Sequence, residues 1–356
     1  MSEPIEVPPS AFENKPWFPT YPAPELIQEI REHIKAKGNP HLWRGHSHSP
    51  PPIGGRIVYL DEFDVPTFGV TMDRVAPCPC CTPRHRKYKS GGKIAWFPDE
   101  AVIRLIGPQC YKSLDKEGHE LAEHEFRERQ RREKYARYLI SQLPLLPEIV
   151  RTGDEVLVMA KATDEFRETL QRRLTNTLFL RLWENVRNGV LNLIVRTREI
   201  RAGADGDHQM RTVDKLERYA TIDGWEVLDP RATKIAPTLK RNIDRLQVLR
   251  FELEQKRDVR DADDLTLRRA AQTMANARKV IASAIDRIAL ERRIVSPLTV
   301  ATLRTWGQLD AATLKFSLRR NGRDLLVGRD RDHCCPIRIP PEMERTLPIL
   351  PRLADG

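Results

Sequence analysis

The stretch Cys78-Pro79-Cys80-Cys81 places three cysteines within four residues, and a run of basic side chains follows it. A thiolate can ligate a metal ion, attack an electrophile or cycle with a disulfide, so spacing and surroundings must decide between these chemistries. Cys78 and Cys81 are separated by two residues, at which distance a tight turn sets both sulfurs about 2.3 Å from one zinc ion. Pro79 stiffens that turn. Cys110 supplies a third thiolate, because Gly107-Pro108 stops the preceding strand and Pro108 suits the first turn of a helix whose N-terminus favours an anionic sulfur. His85 is the nearest fourth ligand, with His119, His124 and Cys80 as alternatives. The expected centre is a structural Zn2+ held by Cys78, Cys81, Cys110 and His85.

The order of cysteine pair, hairpin, glycine and cysteine at a helix start resembles a treble-clef or zinc-ribbon finger over Val75 to Leu114. Ser113 stands where the usual arrangement carries a second helix cysteine. Buried or reactive thiols without metal are the alternative, and an iron-sulfur or catalytic metal centre is a third reading. Catalytic zinc needs an open position and a group acting on water; Asp99, Glu100 and His119 are available, but no spacing selects them. A redox Cys-x-x-Cys pair normally sits between a strand and a helix, whereas Pro83 and a basic loop follow here.

That loop holds Arg84, Arg86, Lys87, Lys89 and Lys93 without an acidic residue, and Tyr88 and Trp96 are interleaved with it. Such a surface contacts phosphates while a ring stacks on a base; a solvated basic face explains the same residues. The whole chain carries 60 Lys and Arg against 50 Asp and Glu, a net charge of +10 that favours polyanionic partners. Arg127, Arg129, Arg131, Arg132, Lys134 and Arg137 extend the patch, although Glu125, Glu128 and Glu133 pair with several of them. The function expected is zinc-stabilised nucleic-acid binding through Arg84, Arg86, Lys87, Tyr88, Lys89 and Lys93. The alternative is an adaptor that binds partner proteins, or a second copy of itself, through a helical hairpin.

His41, His46 and His48 lie in a Pro/Ser/Gly-rich loop and read as exposed side chains, with metal binding as the lesser reading. His333, Cys334 and Cys335 form either a local packing cluster or a second site. No Walker A loop, G-x-G-x-x-G after a strand, H-E-x-x-H or G-x-S-x-G is present, which weakens the enzyme reading and leaves it open.

The elements that must position these residues read as a mainly α fold with small β elements. Eleven of the 27 prolines fall in the first 55 residues, so residues 1–54 form an extended arm interrupted by a short helix ending at Gly38. Residues 55–115 form the finger-like β module, with strands at Arg56–Leu60, Thr67–Thr71, Lys93–Phe97 and Ala101–Ile106. Residues 116–295 are helical: a charged helix to Leu143, a second from Asp164 to Arg198, a third from Pro237, and a fourth whose Ala271, Met274, Arg278, Ile281, Ile285 and Ile288 trace a heptad seam. Residues 296–356 hold a β-hairpin turning at Asn321-Gly322, with Leu318 facing Leu325 and Phe316 facing Val327, and a Pro-rich tail. The clustered cysteines, the absence of an export signal and the lack of any 18-residue apolar run predict a cytoplasmic protein that does not enter a membrane.

Overall fold

The computed structural model describes the chain except for residues 1–2, 5–6, 14–15, 67–73, 76–77, 81–90, 203–207, 255–257 and 353–356. It is mainly helical with small sheets and divides into two compact units, Met1–Lys134 and Tyr135–Gly356. Among the described residues no helix is long and apolar enough to cross a membrane.

The first unit contains β1 (Glu3–Pro4), α1 (Pro9–Glu13), α2 (Pro24–Lys37), β2 (Val58–Phe63), β3 (Arg74–Val75), β4 (Gly92–Phe97), β5 (Val102–Ile106) and most of α3 (Lys116–Gln142). The expected arm helix forms as α2, stopped by Gly38 at φ 67° with its N–H donating to the Ile34 carbonyl at 2.8 Å. Strands β2, β4 and β5 form an antiparallel sheet with β4 central, and β1 pairs with β3 in a short parallel ladder. Every residue of β4 and β5 is buried, as expected of a sheet covered on both faces. The strand expected at Thr67–Thr71 lies outside the described residues.

The Pro-rich arm is part of this core. His46 bridges Ile103 in parallel, and the Ser47 N–H donates to the Ile103 carbonyl at 2.9 Å, so the arm covers the open edge of β5. Arg104 fastens it. Its wholly buried guanidinium donates to Ser49 O and Ser49 Oγ, both at 2.8 Å, pairs with Glu100 at 2.6 Å and lies 4.5 Å from the Phe97 ring centroid.

The second unit contains α4 (Leu146–Arg173), α5 (Asn176–Val186), β6 (Val190–Ala202), β7 (His208–Thr221), α6 (Ala236–Glu254), α7 (Asp264–Glu291), α8 (Pro297–Gln308), β8 (Ser317–Asn321), β9 (Asp324–Gly328) and β10 (Cys334–Arg338). Helices α4, α6 and α7 share one core. Along α7 the inward residues Leu267, Ala270, Met274, Ala277, Ile281 and Ala284 alternate large and small side chains, which lets neighbouring helices approach closely. A Cβ on Gly153 of α4 would stand 3.0 Å from Ile243 and 3.4 Å from Ile281, so the three helices pack closely at this glycine.

The helix expected from Asp164 to Arg198 is three elements instead. α4 ends at Arg173, Leu174 is extended, and Thr175 caps α5 by accepting the Leu178 N–H at 3.3 Å. Gly189, at φ 69°, then turns the chain into β6. The four-residue apolar steps persist through this region because two helices and a strand root all send side chains into one core. β6 and β7 form a long two-stranded ribbon anchored where Trp306 Nε1 donates to the Asn192 carbonyl at 2.8 Å.

The C-terminal hairpin forms as β8 and β9, with a different register. Asn321 pairs with Asp324, so Gly322, at φ 57°, and Arg323 make the turn, and Leu318 stands opposite Val327. A slip of two residues keeps Leu318, Leu325 and Val327 on the same buried face.

Candidate metal centre

Three of the first unit's cysteines are buried in its core. Cys78, Cys80 and Cys110 are 4 %, 6 % and 8 % exposed and belong to one cluster with residues of all three strands of the sheet. Cys80 is hydrogen-bonded to Cys78, and this bond is the main reason its thiol is pushed well above the usual range; burial and the neighbouring Cys78 and Cys110 add to it. Such proximity makes several thiolates mutually repulsive unless a cation stands among them.

Cys110 reaches this position through a turn. Its N–H donates to the Gly107 carbonyl at 3.1 Å, and a Cβ on Gly107 would fall 2.5 Å from the Cys110 sulfur, so that sulfur folds back closely over Gly107. The helix expected to begin at Pro108 begins only at Lys116, after a single 3-10 turn, so Cys110 is not held at a long helix's N-terminus. Ser113, in the place of a second helix cysteine, closes this turn by donating its hydroxyl to the Cys110 carbonyl at 2.7 Å.

Cys81, His85, Arg84, Arg86, Lys87, Tyr88 and Lys89 lie outside the described residues. Among the described residues no three or more His, Cys, Asp or Glu side chains are grouped so as to hold a metal ion. Of the other ligand candidates, His119 is buried with Nδ1 2.6 Å from the Tyr59 hydroxyl, and burial, followed by Lys93, lowers its pKa. His124 is exposed on α3.

Lys93 and Trp96, grouped with the basic loop in the sequence, point into the protein. Lys93 is 3 % exposed, with its ammonium between the Glu62 and Glu123 carboxylates and 4.7 Å from the Tyr59 ring centroid. Trp96 Nε1 donates to the Phe18 carbonyl at 3.0 Å from within the core. On α3, Arg127 is held by Glu123 at 2.8 Å and Glu62 at 3.1 Å, and Arg131 by Glu128. Much of the charge that follows the loop in sequence is thereby neutralised internally.

The histidines read as exposed are not. His41 and His46 are buried and His48 is half-buried, its ring centroid 4.5 Å from that of His46. The Leu105 N–H donates to His46 Nδ1 at 3.0 Å, which leaves the proton of the neutral ring on Nε2. Burial, reinforced by His48, holds the His46 pKa well below the usual value, and burial with His48 and His33 lowers that of His41 to about 4. Cys78 is close enough to oppose the His46 shift. The sequence signal for this burial was Trp43 beside the histidines and the alternation His46-Ser47-His48, which suits a chain lying along a strand edge.

In the second unit, Cys334 donates its thiol to the Asp330 carbonyl at 3.1 Å, and His333 Nδ1 lies 2.8 Å from the Asp330 carboxylate. These contacts are local to one loop and the start of β10. The chain matches no protein-family model, no curated protein and no solved structure.

Proposed function

We propose that the chain is a nucleic-acid-binding protein whose first unit is stabilised by structural zinc and presents the basic loop of residues 84–89. The observation that carries this reading is the burial of Cys78, Cys80 and Cys110 in one core, with the Cys80 thiol pushed up by its sulfur neighbours. The donors suit zinc: soft sulfurs, with the buried His46 imidazole beside Cys78. Cys78, Cys110 and Cys80 or Cys81 would hold the ion, and it would supply a stiff base for the loop between Cys81 and β4. Arg84, Arg86, Lys87 and Lys89 then remain as phosphate contacts and Tyr88 as the stacking ring, while Lys93 serves the fold.

The test is binding of a labelled oligonucleotide followed by fluorescence anisotropy from low to moderate salt. Phosphate contacts release counterions, so affinity falls steeply with salt if the reading holds. An affinity that does not respond to salt would overturn it.

The adaptor reading retains one specific support. The apolar stripes of α6 and α7 are covered by α4 within the same unit, but Met210 and Leu216 on one face of the β6–β7 ribbon are 70 % and 68 % exposed. Aspartate substitutions at both positions would abolish a protein complex that used this face, and would leave oligonucleotide affinity unchanged.

A further inference from the structure

A groove of about 860 Å³ opens in the second unit between the α4–α5 corner and the ends of β9 and β10. Leu174, Leu314 and Val327 form its buried floor, and Thr175, Thr177 and Thr313 bring hydroxyls to its walls. Arg173, Arg181, Lys315 and Arg329 supply its charge.

The cations of the groove differ in whether a carboxylate holds them. Arg167, Arg196, Arg293, Arg320 and Arg338 each have a carboxylate partner, and Lys315 is held by Asp310 at 2.8 Å. Arg173, Arg181 and Arg329 are exposed and form no ion pair among the described residues. The one carboxylate lining the groove, Asp330, is already occupied by the N–H groups of Asp332 and His333 and by the His333 ring. The first turn of α5 also opens here, adding the positive end of its dipole.

We propose that this groove is a second nucleic-acid contact, in which Arg173, Arg181 and Arg329 bind phosphodiester groups. Guanidinium forks match phosphate oxygens in pairs, threonine hydroxyls donate to the same oxygens, and the apolar floor accommodates sugar faces. No Phe, Tyr or Trp lines the groove, and its one ring, His333, is tied to Asp330, so it follows the backbone. All of its residues lie in the second unit, so it stands or falls separately from the loop of residues 84–89.

The experiment measures anisotropy of a labelled single-stranded oligonucleotide with wild type, a groove variant (Arg173→Gln, Arg181→Gln, Arg329→Gln), a loop variant (Arg84→Glu, Arg86→Glu, Lys87→Glu) and Arg338→Gln. The groove variant is expected to bind about tenfold or more weakly at moderate salt with a shallower salt slope, and Arg338→Gln, outside the groove, to stay near wild type. Thermal melts of each variant exclude unfolding as the cause, and Arg181→Gln alone serves if the triple variant melts early. Wild-type affinity and slope in the groove variant overturn the proposal, whatever the loop variant does. Weakened binding in the groove variant with an unchanged loop variant supports the groove and overturns the loop. A nucleoside triphosphate that binds wild type but not the groove variant, with no oligonucleotide binding, overturns the assignment to a nucleic-acid chain and identifies a free-nucleotide pocket.

Discussion

Asp164 on α4 accepts the backbone N–H of Ala236, the first residue of α6, at 2.9 Å, and its other carboxylate oxygen accepts the Ile235 N–H at 3.0 Å. A cap for one helix is thus supplied by a side chain of another, 72 residues earlier in the chain. Arg167, one turn along α4, pairs with the buried Glu291 at the end of α7, so the same end of the bundle is tied twice. Replacing Asp164 by Ala leaves one buried and one half-buried amide without an acceptor and should cost about 2–4 kcal/mol. Asp164→Asn keeps one acceptor oxygen and should cost less. Urea unfolding monitored by the tryptophans of the second unit checks both the loss and the order of the two variants.

The arm depends on Arg104 in a similar way. Arg104→Met keeps the apolar stem over Phe97 but leaves Ser49, Pro50 and Glu100 without their donor, and should destabilise the first unit by about 3–5 kcal/mol. Release of residues 43–50 from β5 is the structural consequence. Limited trypsin digestion reads it directly: cleavage at Arg44 should be much faster in the variant, and equal rates in the two proteins would contradict the anchoring role.

The buried histidines make the first unit sensitive to acid. His41 has a folded-state pKa of about 4 against an ordinary value of 6.5, because burial, then His48 and His33, disfavour its charged form. As pH falls through 6.5 the unfolded chain takes up a proton that the folded protein refuses. Stability is therefore full above about pH 6.5 and is lost progressively down to about pH 4, by about 3 kcal/mol for this residue. His48 shifts in the same direction. Urea midpoints measured across this range should fall for wild type and fall less for His41→Gln.

Periodicity and turn chemistry carried much of the fold in the sequence. The arm helix, β4, β5, α6, α7 and the C-terminal hairpin all follow from local apolar spacing bounded by glycine and proline. What failed was whatever depended on a distant partner. The division of residues 164–198 is set by Thr175 and Gly189 against the Trp225 side, where a continuous four-residue step hides two helix ends. Lys93 looks like one more cation of a basic loop until β2 and α3 bring Glu62 and Glu123 to it. His46 belongs to a Pro-rich segment whose burial rests on hydrogen bonds to β5: its Nδ1 accepts the N–H of Leu105, 59 residues later, and Ser49 accepts from Arg104, 55 residues later. At the cysteines, the C-x-x-C spacing drew attention to Cys78 and Cys81, but the geometry adds Cys80, which alternates with Cys78 about a proline.

That difference between Cys80 and Cys81 is open to measurement. Cys80 is buried, hydrogen-bonded to Cys78 and influenced by Cys110. If zinc is bound, purified protein should contain about one ion per chain, and Cys80→Ser should lower that content as far as Cys78→Ser and Cys110→Ser do. Cys334→Ser and Cys335→Ser, whose side chains belong to the second unit, should leave it unchanged. Chelation should lower the melting temperature of the wild type and have little further effect on Cys110→Ser, because a structural ion contributes its binding free energy to folding. Full zinc content in Cys80→Ser with loss in Cys81→Ser would assign the knuckle to Cys78 and Cys81, and metal-free wild type would leave the three sulfurs as a buried thiol cluster.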